Sequence, residues 1–213
     1  MLKILIADDH RVVREGLKQI IEKNREMSVV EEASDGQEVL AKLRKTSVDV
    51  VLFDLSMPGP SGLDTLKQIH SRYPNLAVLV LSQHPEEKFA IRAFRAGASG
   101  YLTKENAASE LLAAIRKVAV GRKWMSESVA EQLADSLNHD PSRPPHETLS
   151  DREFEILCQF GSGKTVSEIA RELSLSVKTI STYRSRILEK MGLTKTSELM
   201  LYAIQQALIP SKV

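Results

Sequence analysis

Asp8, Asp9, Asp54 and Lys104 are the residues of this chain best placed to do chemistry. Each stands just past an apolar run: LKILIA at 2–7, VDVVLF at 48–53 and SGYL at 99–102. Such runs read as strands, and in a parallel α/β sheet the carboxyl ends of the strands line one crevice. Groups far apart in the chain then converge. Adjacent aspartates after a strand are also ordinary turn chemistry, and it is Asp54, closing a separate apolar run, that shifts the balance. Three crowded carboxylates raise one another's pKa unless a cation joins them. Mg²⁺ suits them, because it takes octahedral oxygen ligands and keeps several waters. Lys104 adds a point charge able to pair with a carboxylate or a phosphoryl oxygen. Ser82, just past the run LAVLVL at 76–81, adds a hydroxyl at the same edge. Metal, ammonium and hydroxyl together can neutralise the oxygens of a phosphoryl group in transfer. Asp54 precedes the rigid turn LSMPGPSG and is the better nucleophile, while Asp8 and Asp9 are better placed as metal ligands.

The elements that must position these groups alternate over residues 1–120. Strands are expected at 2–7, near 28–33, and at 48–53, 76–81 and 99–102. Helices are expected at 10–24, 37–44, 62–72, 85–96 and 105–119. Residues 48–53 are apolar enough to be covered on both faces. Five strands and five helices in this order fit a doubly wound parallel sheet. After Gly121 the alternation stops. Residues 126–137 read as one amphipathic helix carrying Val129, Ala130, Leu133 and Leu137. NHDPSRPPHE at 138–147 has three prolines and almost nothing to bury, so it reads as a tether. The expected divisions are 1–120, a linker with one helix at 121–148, and 149–213.

The last part carries no strand pattern. Ser150 with Glu153 and Thr165 with Glu168 are capping-box pairs, Ser176 caps a longer helix, and Gly192 ends it. A final helix is expected over 196–209, with Leu199, Tyr202, Ala203 and Leu208 apolar. The string GSGKT at 161–165 is not a phosphate loop, because Cys158 stands where the first glycine belongs and the segment before it is helical. The helix from about Ser167, the turn LSLS at 173–176 and the helix 177–190 have helix-turn-helix spacing. Along 177–190, Lys178, Arg184, Arg186 and Lys190 face only Glu189, while Ser181, Thr182 and Ser185 are small enough to reach base edges or phosphates.

Composition sets bounds around this reading. The 213 residues carry a net charge of +1, with 42% hydrophobic and 27% charged residues, as in ordinary globular proteins. Nine Lys and Arg against seven Asp and Glu over 150–213 mean that a nucleic-acid case rests on where charges sit. The single cysteine, Cys158, excludes an internal disulfide and a cysteine-rich zinc site. No run reaches the roughly 18 to 20 apolar residues of a membrane span. MLKILIADD turns acidic too early for a signal peptide, so a cytoplasmic protein without a membrane partner is expected. The pocket lacks a lid loop, and its only strand-end histidines are His10 and His84, so turnover of an external substrate is not expected.

Both halves resemble known types. Residues 1–120 resemble a two-component receiver domain, and residues 149–213 resemble the LuxR-type helix-turn-helix domain. The chain as a whole is similar to response regulators of the NarL/FixJ family. The resemblance rests on ILIADDHRVVREGL, VVLFDLSMPGPSGLD, VLS, GASGYLTK, TLSDREFEIL and SEIARELSLSVKTISTYRSRILEKMGL, in that order. It implies an α/β, CheY-like doubly wound five-stranded parallel sheet followed by an all-α four-helix domain. It also implies that Asp54 accepts a phosphoryl group from a sensor histidine kinase. Asp8 and Asp9 would bind Mg²⁺ with Asp54 and the Ser56 carbonyl, Ser82 and Lys104 would bind the phosphoryl group, and Tyr101 would change rotamer on activation. Helix 177–190 would read double-stranded DNA, with Ser181, Thr182 and Ser185 at base-reading positions and Lys178, Thr179, Arg184, Arg186 and Lys190 beside them. The last helix, through Leu199 and Tyr202, would form a homodimer on DNA, so that phosphorylation controls dimerisation and promoter binding. Three residues depart from the family pattern: Gln83 is bulky, Tyr183 replaces a common histidine, and Arg184 replaces an aliphatic residue. The competing reading is a phosphorylation-dependent module whose helical part binds protein. The polar face of 178–190 lacks the apolar residues that role needs.

Overall fold

The computed structural model describes residues 1–59, 61–83, 86–135 and 144–209. His84, Leu137 and residues 138–143 of the expected tether lie outside them. The chain divides into two compact units, Met1–Leu133 and Ala134–Val213.

In the first unit, β1 (Leu2–Ala7), β2 (Met27–Ala33), β3 (Val50–Asp54), β4 (Ala77–Ser82) and β5 (Gly100–Thr103) form one sheet. Its order is β2-β1-β3-β4-β5, and every pairing is parallel. The intervening helices are α1 (Arg11–Glu22), α2 (Gly36–Leu43), α3 (Gly62–Arg72), α4 (Glu86–Arg95) and α5 (Ala107–Ala119). Every residue of β3 and β4 is buried, as expected of strands covered on both faces. Ile4, Ile6, Leu52 and Leu79 pack with Leu17 and Ile21 of α1 and with Leu111 and Ile115 of α5. The register sets Ala7 beside Phe53, Asp54 beside Leu81, and Ser82 beside Thr103. Asp8, Asp54, Ser82 and Lys104 therefore leave the sheet along one edge. Between β1 and β3 the strand order reverses, and that is where such sheets open a crevice. Gly62 lets α3 start close against the loop that follows Asp54: a Cβ there would lie 2.3 Å from the Leu55 carbonyl oxygen.

The chain does not leave this unit at residue 120. Beyond α5 it turns back along the free edge of β5. The Trp124 amide donates to the Ser99 carbonyl (3.1 Å), and the Tyr101 amide donates to the Trp124 carbonyl (3.0 Å). Gly100 bridges to Trp124 in parallel register. A Cβ on Gly100 would stand 2.8 Å from that of Trp124, so glycine is what permits the approach. The Ser126 amide then donates to Glu86 Oε1 at the start of α4 (2.9 Å), and α6 (Glu127–Asp135) buries Val129.

The second unit is built from α7 (Asp151–Gly161), α8 (Val166–Glu172), α9 (Val177–Met191) and α10 (Thr196–Gln205). Both expected capping boxes are present, and the Ser176 hydroxyl accepts from the Thr179 amide at the start of α9. Gly192 closes α9 in the left-handed conformation (φ 65°). The core joins Phe154, Leu157 and Phe160 of α7 to Ile169, Ile180, Ile187, Leu199 and Ala203. Two expectations change here. Pro145–Thr148 is a 3-10 turn, and His146 is buried against Phe154 with its Nδ1 2.8 Å from the Tyr202 hydroxyl. A buried polar ring is stable where a partner satisfies it, so the end of the tether stretch belongs to this core. The last helix stops at Gln205, not 209. Ala207 takes a positive φ of 49°, and the Leu208 amide returns to the Ala203 carbonyl, which buries Leu208.

Glu153 anchors this unit. Its Oε2 accepts from the Ser150 amide and hydroxyl and stands 2.6 Å from Lys190 Nζ on α9. Burial raises the pKa of this carboxyl, but the bonds from Lys190 and Ser150 outweigh it and hold the group below the ordinary carboxylate range. A lowered folded pKa contributes stability above the unfolded value, and that contribution is lost as pH falls through the folded one. Glu153→Gln should therefore cost about 1–2 kcal/mol at pH 7, the lower end reflecting screening at Lys190. Urea unfolding should show the difference between variant and wild type closing below pH 4.

Candidate functional site

At the carboxyl edge of the sheet, Lys104 Nζ lies 2.6 Å from Asp8 Oδ2 and 2.7 Å from Asp54 Oδ2. Both carboxylates are about 1% exposed. The remaining oxygens are held by main chain: Asp8 Oδ1 accepts from the His10 amide (2.8 Å), and Asp54 Oδ1 from the Ser56 amide (3.0 Å). Asp9 is more open, and its Oδ1 is 2.9 Å from His10 Nδ1. Ser82 is fully buried on β4, and its carbonyl accepts from the Lys104 amide (2.8 Å). Gln83 beside it is exposed. Tyr101 is buried on β5, one strand residue from the bridge to Trp124.

Burial pushes the Asp54 carboxyl above its ordinary range, against the lowering pull of Lys104. For Lys104, burial works to lower the pKa, and the two carboxylates outweigh it and raise the group above its ordinary range. Two buried carboxylates thus share one ammonium. Ligand atoms of Asp8, Asp9, His10 and Asp54 all lie within 4.8 Å of one another. This donor set, three carboxylates with one imidazole, can hold a divalent metal ion, and its oxygens suit a hard one. His10 was not singled out as a donor from the sequence, although its place directly after the two aspartates was the available signal.

The second surface is on α9. An open groove there is lined by Ser176, Lys178, Thr179, Thr182, Tyr183 and Arg186. Thr182 and Ser185 donate back to the carbonyls of Lys178 and Ser181, one turn earlier, which leaves their oxygens outward as acceptors. Ser181 and Arg184 are half-buried, and the Arg184 Nε is enclosed without a hydrogen-bond partner. The ammonium of Lys190 is paired with Glu153, while its side chain stays 44% exposed. Ser176 and Tyr183 line the groove although neither was expected to touch DNA. Tyr183 had drawn attention only as a departure from the family pattern.

On α10, Leu199 is fully buried and the Tyr202 hydroxyl is bonded to His146. Leu199 therefore cannot form a dimer face, because the helical period turns it into the core. Leu201 and Ile204 are the large apolar side chains that point outward, at 55% and 58% exposure.

A family model of the response regulator receiver domain matches residues 4–116, and one of the luxR family of bacterial regulatory proteins matches 147–203. The chain belongs to the NarL/FixJ-like response regulators. The response regulator UvrY of Escherichia coli K12 is 36% identical over 209 residues, covering 98% of this chain and 96% of its own. The response regulator GacA of Pseudomonas aeruginosa is 36% identical over 210 residues, 98% of each chain. The RcsB response regulator of Salmonella typhimurium, solved in a study of conformational dynamism for DNA interaction, superposes with a TM-score of 0.70 at 29% identity. That match covers 96% of this chain and 97% of RcsB. RcsB bound to promoter DNA in the presence of phosphomimetic BeF₃⁻ gives a TM-score of 0.66 at 28% identity, covering 94% and 97%. This regulator is thus a phosphorylation-controlled, DNA-binding transcriptional regulator, and its receiver takes a phosphoryl group onto an aspartate without turning over an external substrate. No helix among the described residues is long and apolar enough to cross a membrane.

Proposed function

We propose that Asp54 is the phosphoacceptor and that a sensor histidine kinase is the donor. The observation that carries this reading is the Lys104 ammonium bridging Asp8 and Asp54 where four strand ends meet. An Asp54 oxygen attacks the phosphorus, the P–N bond to the donor imidazole breaks, and the imidazole leaves with a proton. Lys104 and the Ser82 hydroxyl bind the phosphoryl oxygens. Asp8, Asp9, Asp54 and the Ser56 carbonyl would hold Mg²⁺, which would supply charge neutralisation for the transfer. Tyr101 follows Ser82 as the switch residue. The reading keeps a receiver at 1–120 and a DNA-binding domain at 149–213, with a connecting segment at 121–148 whose first residues stay on the receiver and whose last pack into the helical core.

On DNA, Lys178, Thr179, Ser181, Thr182, Ser185 and Arg186 make the contacts, with Tyr183 and Ser176 at the groove's edge. Arg184 reaches phosphate from its half-buried position. Lys190 adds a contact from the far end of α9 while it keeps its pair with Glu153. Leu201 and Ile204 of α10 pair two copies, so that two α9 helices enter successive major-groove segments. Beyond Val177 the exposed side chains of α9 are polar, which supports DNA over a protein partner.

Acetyl phosphate with Mg²⁺ should label wild type and raise its affinity for target DNA in a gel shift, whereas Asp54→Ala should take up no label and show no rise. An equal DNA response in both proteins would remove Asp54 from the mechanism. Arg186→Ala should weaken binding to every sequence and lower the salt slope by about 1. Thr182→Ala should instead change the preferred sequence in a binding selection, and an unchanged preference would mean that α9 reads DNA through other residues.

A further inference from the structure

We propose that Arg14 is a positioning residue for the cation site, fixing the peptide from which Asp9 projects. The inference rests on the reading of Asp8, Asp9 and Asp54 as ligands. Arg14 Nη1 donates to the Asp8 carbonyl at 2.7 Å, and that carbonyl belongs to the Asp8–Asp9 peptide. The same guanidinium is anchored by Glu32 Oε2 on the edge strand β2 (3.3 Å), and Lys18 holds the other Glu32 oxygen at 3.0 Å. Asp9 itself has little packing: its side chain is 30% exposed, and its partner His10 is 64% exposed. Its orientation therefore depends on the main chain, which is tied by the Asp8 amide to Ala33 and by the Asp8 carbonyl to Arg14. Groups that orient a metal ligand typically change affinity 10–100-fold when removed. Charge alone predicts the opposite sign, since deleting a nearby cation strengthens cation binding.

Calorimetric titration with Mg²⁺ separates the two. Arg14→Met should bind Mg²⁺ about 10-fold more weakly than wild type, with Arg14→Lys recovering part of the loss. Unchanged or tighter binding by a folded Arg14→Met protein overturns the assignment. If that variant does not fold, Glu32→Gln loosens the same brace from its far end and should weaken binding in the same direction; unchanged affinity there overturns it too. A wild type that binds no Mg²⁺ overturns the cation site and the brace together.

A separate observation carries a second inference. We infer that Trp124 passes the state of the phosphorylated pocket to the segment leaving the receiver, which deepens the proposed switching of β5. Trp124 accepts from the Tyr101 amide and donates to the Ser99 carbonyl, while two residues on, Ser126 is held by Glu86 of α4. The segment 124–126 is thereby pinned at one end to the strand that carries Tyr101 and leads into Lys104. Its other end is pinned to the helix that follows β4 and Ser82. The Lys117 ammonium lies 5.3 Å from the indole centroid and fixes the ring's outer face. Displacement of either β5 or α4 must move the residues that run on into α6.

Trp124 is the only tryptophan of the chain, so its emission reports on this one place. Beryllofluoride with Mg²⁺ should change that emission in wild type. Trp124→Pro, which removes the amide that donates to Ser99, should take up phosphoryl label from acetyl phosphate at the wild-type rate while the gain in DNA affinity on phosphorylation falls at least several-fold. Glu86→Ala, which releases the other end and keeps the ring, should reduce the same gain. Unmoved emission in protein that takes label, or a full gain in both labelled variants, overturns the inference. Absence of label in wild type overturns the phosphoacceptor reading itself.

Discussion

One ammonium shared by two buried carboxylates sets the terms for the receiver unit. Asp8, Asp54 and Lys104 leave one negative charge in excess, in a place from which water is nearly excluded. Removing charges from water costs more than a simple pair recovers unless hydrogen bonds complete the shell. Those bonds come from the amides of His10 and Ser56, both in the loops that leave β1 and β3. Asp54 resists ionisation because it is buried, and Lys104 resists deprotonation because of its two partners. Such a site is poised for more positive charge, which a divalent cation supplies. On the proposed reading, phosphorylation changes the ion pairing again. The phosphoryl group draws Lys104 to a new oxygen, and the end of β5 follows the ammonium it carries.

The helical unit separates two kinds of surface by helical period alone. On α9, Ile180 and Ile187 face the core, while Thr182, Ser185 and Arg186 between them face out. Core packing thus fixes the presentation of the polar face. On α10 the arrangement is reversed in character. Leu199 and Ala203 are inward, and Leu201 and Ile204 are outward and apolar. On the proposed reading, an outward apolar pair on a short helix would give modest association between single copies. That suits a dimer formed with help from DNA.

The sheet was legible because its strands are strongly apolar and because Asp8, Asp54 and Lys104 mark their ends. In the first unit, the expected elements match the observed ones within about two residues wherever the chain is described. Capping boxes at Ser150 and Thr165 were equally plain, since a capping box is a local interaction. Long-range partners were not legible. Residues 122–126 hold a single strand-favouring residue, too short a signal to read as a strand; Trp124 pairs with Ser99 and Tyr101 because Gly100 leaves room for it. His146 sits among prolines and reads as solvated, yet Tyr202, more than fifty residues later, supplies the hydroxyl that lets it be buried. The pairing of Lys190 with Glu153, thirty-seven residues earlier, was equally invisible. Leu199 was a different error: apolar character was visible, but which side of α10 faced inward depended on the packing of α7.

The strength of the link through Trp124 also bounds how the regulator can work. Two backbone hydrogen bonds and one to Glu86 contribute about 1 kcal/mol each in net terms. Shifting a two-state equilibrium from 1:99 to 99:1 takes about 5.5 kcal/mol, more than this segment can deliver in one copy. A coupling of about 1–3 kcal/mol changes affinity about 5- to 150-fold, which is within its reach. Two copies bound to one duplex add their couplings, because the second contact becomes intramolecular once the first is made. On the proposed coupling, a receiver whose switch strand holds the following segment by a few main-chain bonds would give a graded signal in a single copy. On the same reading a steep response would belong to the pair on DNA, and the outward face of α10 is where the proposed pairing is made.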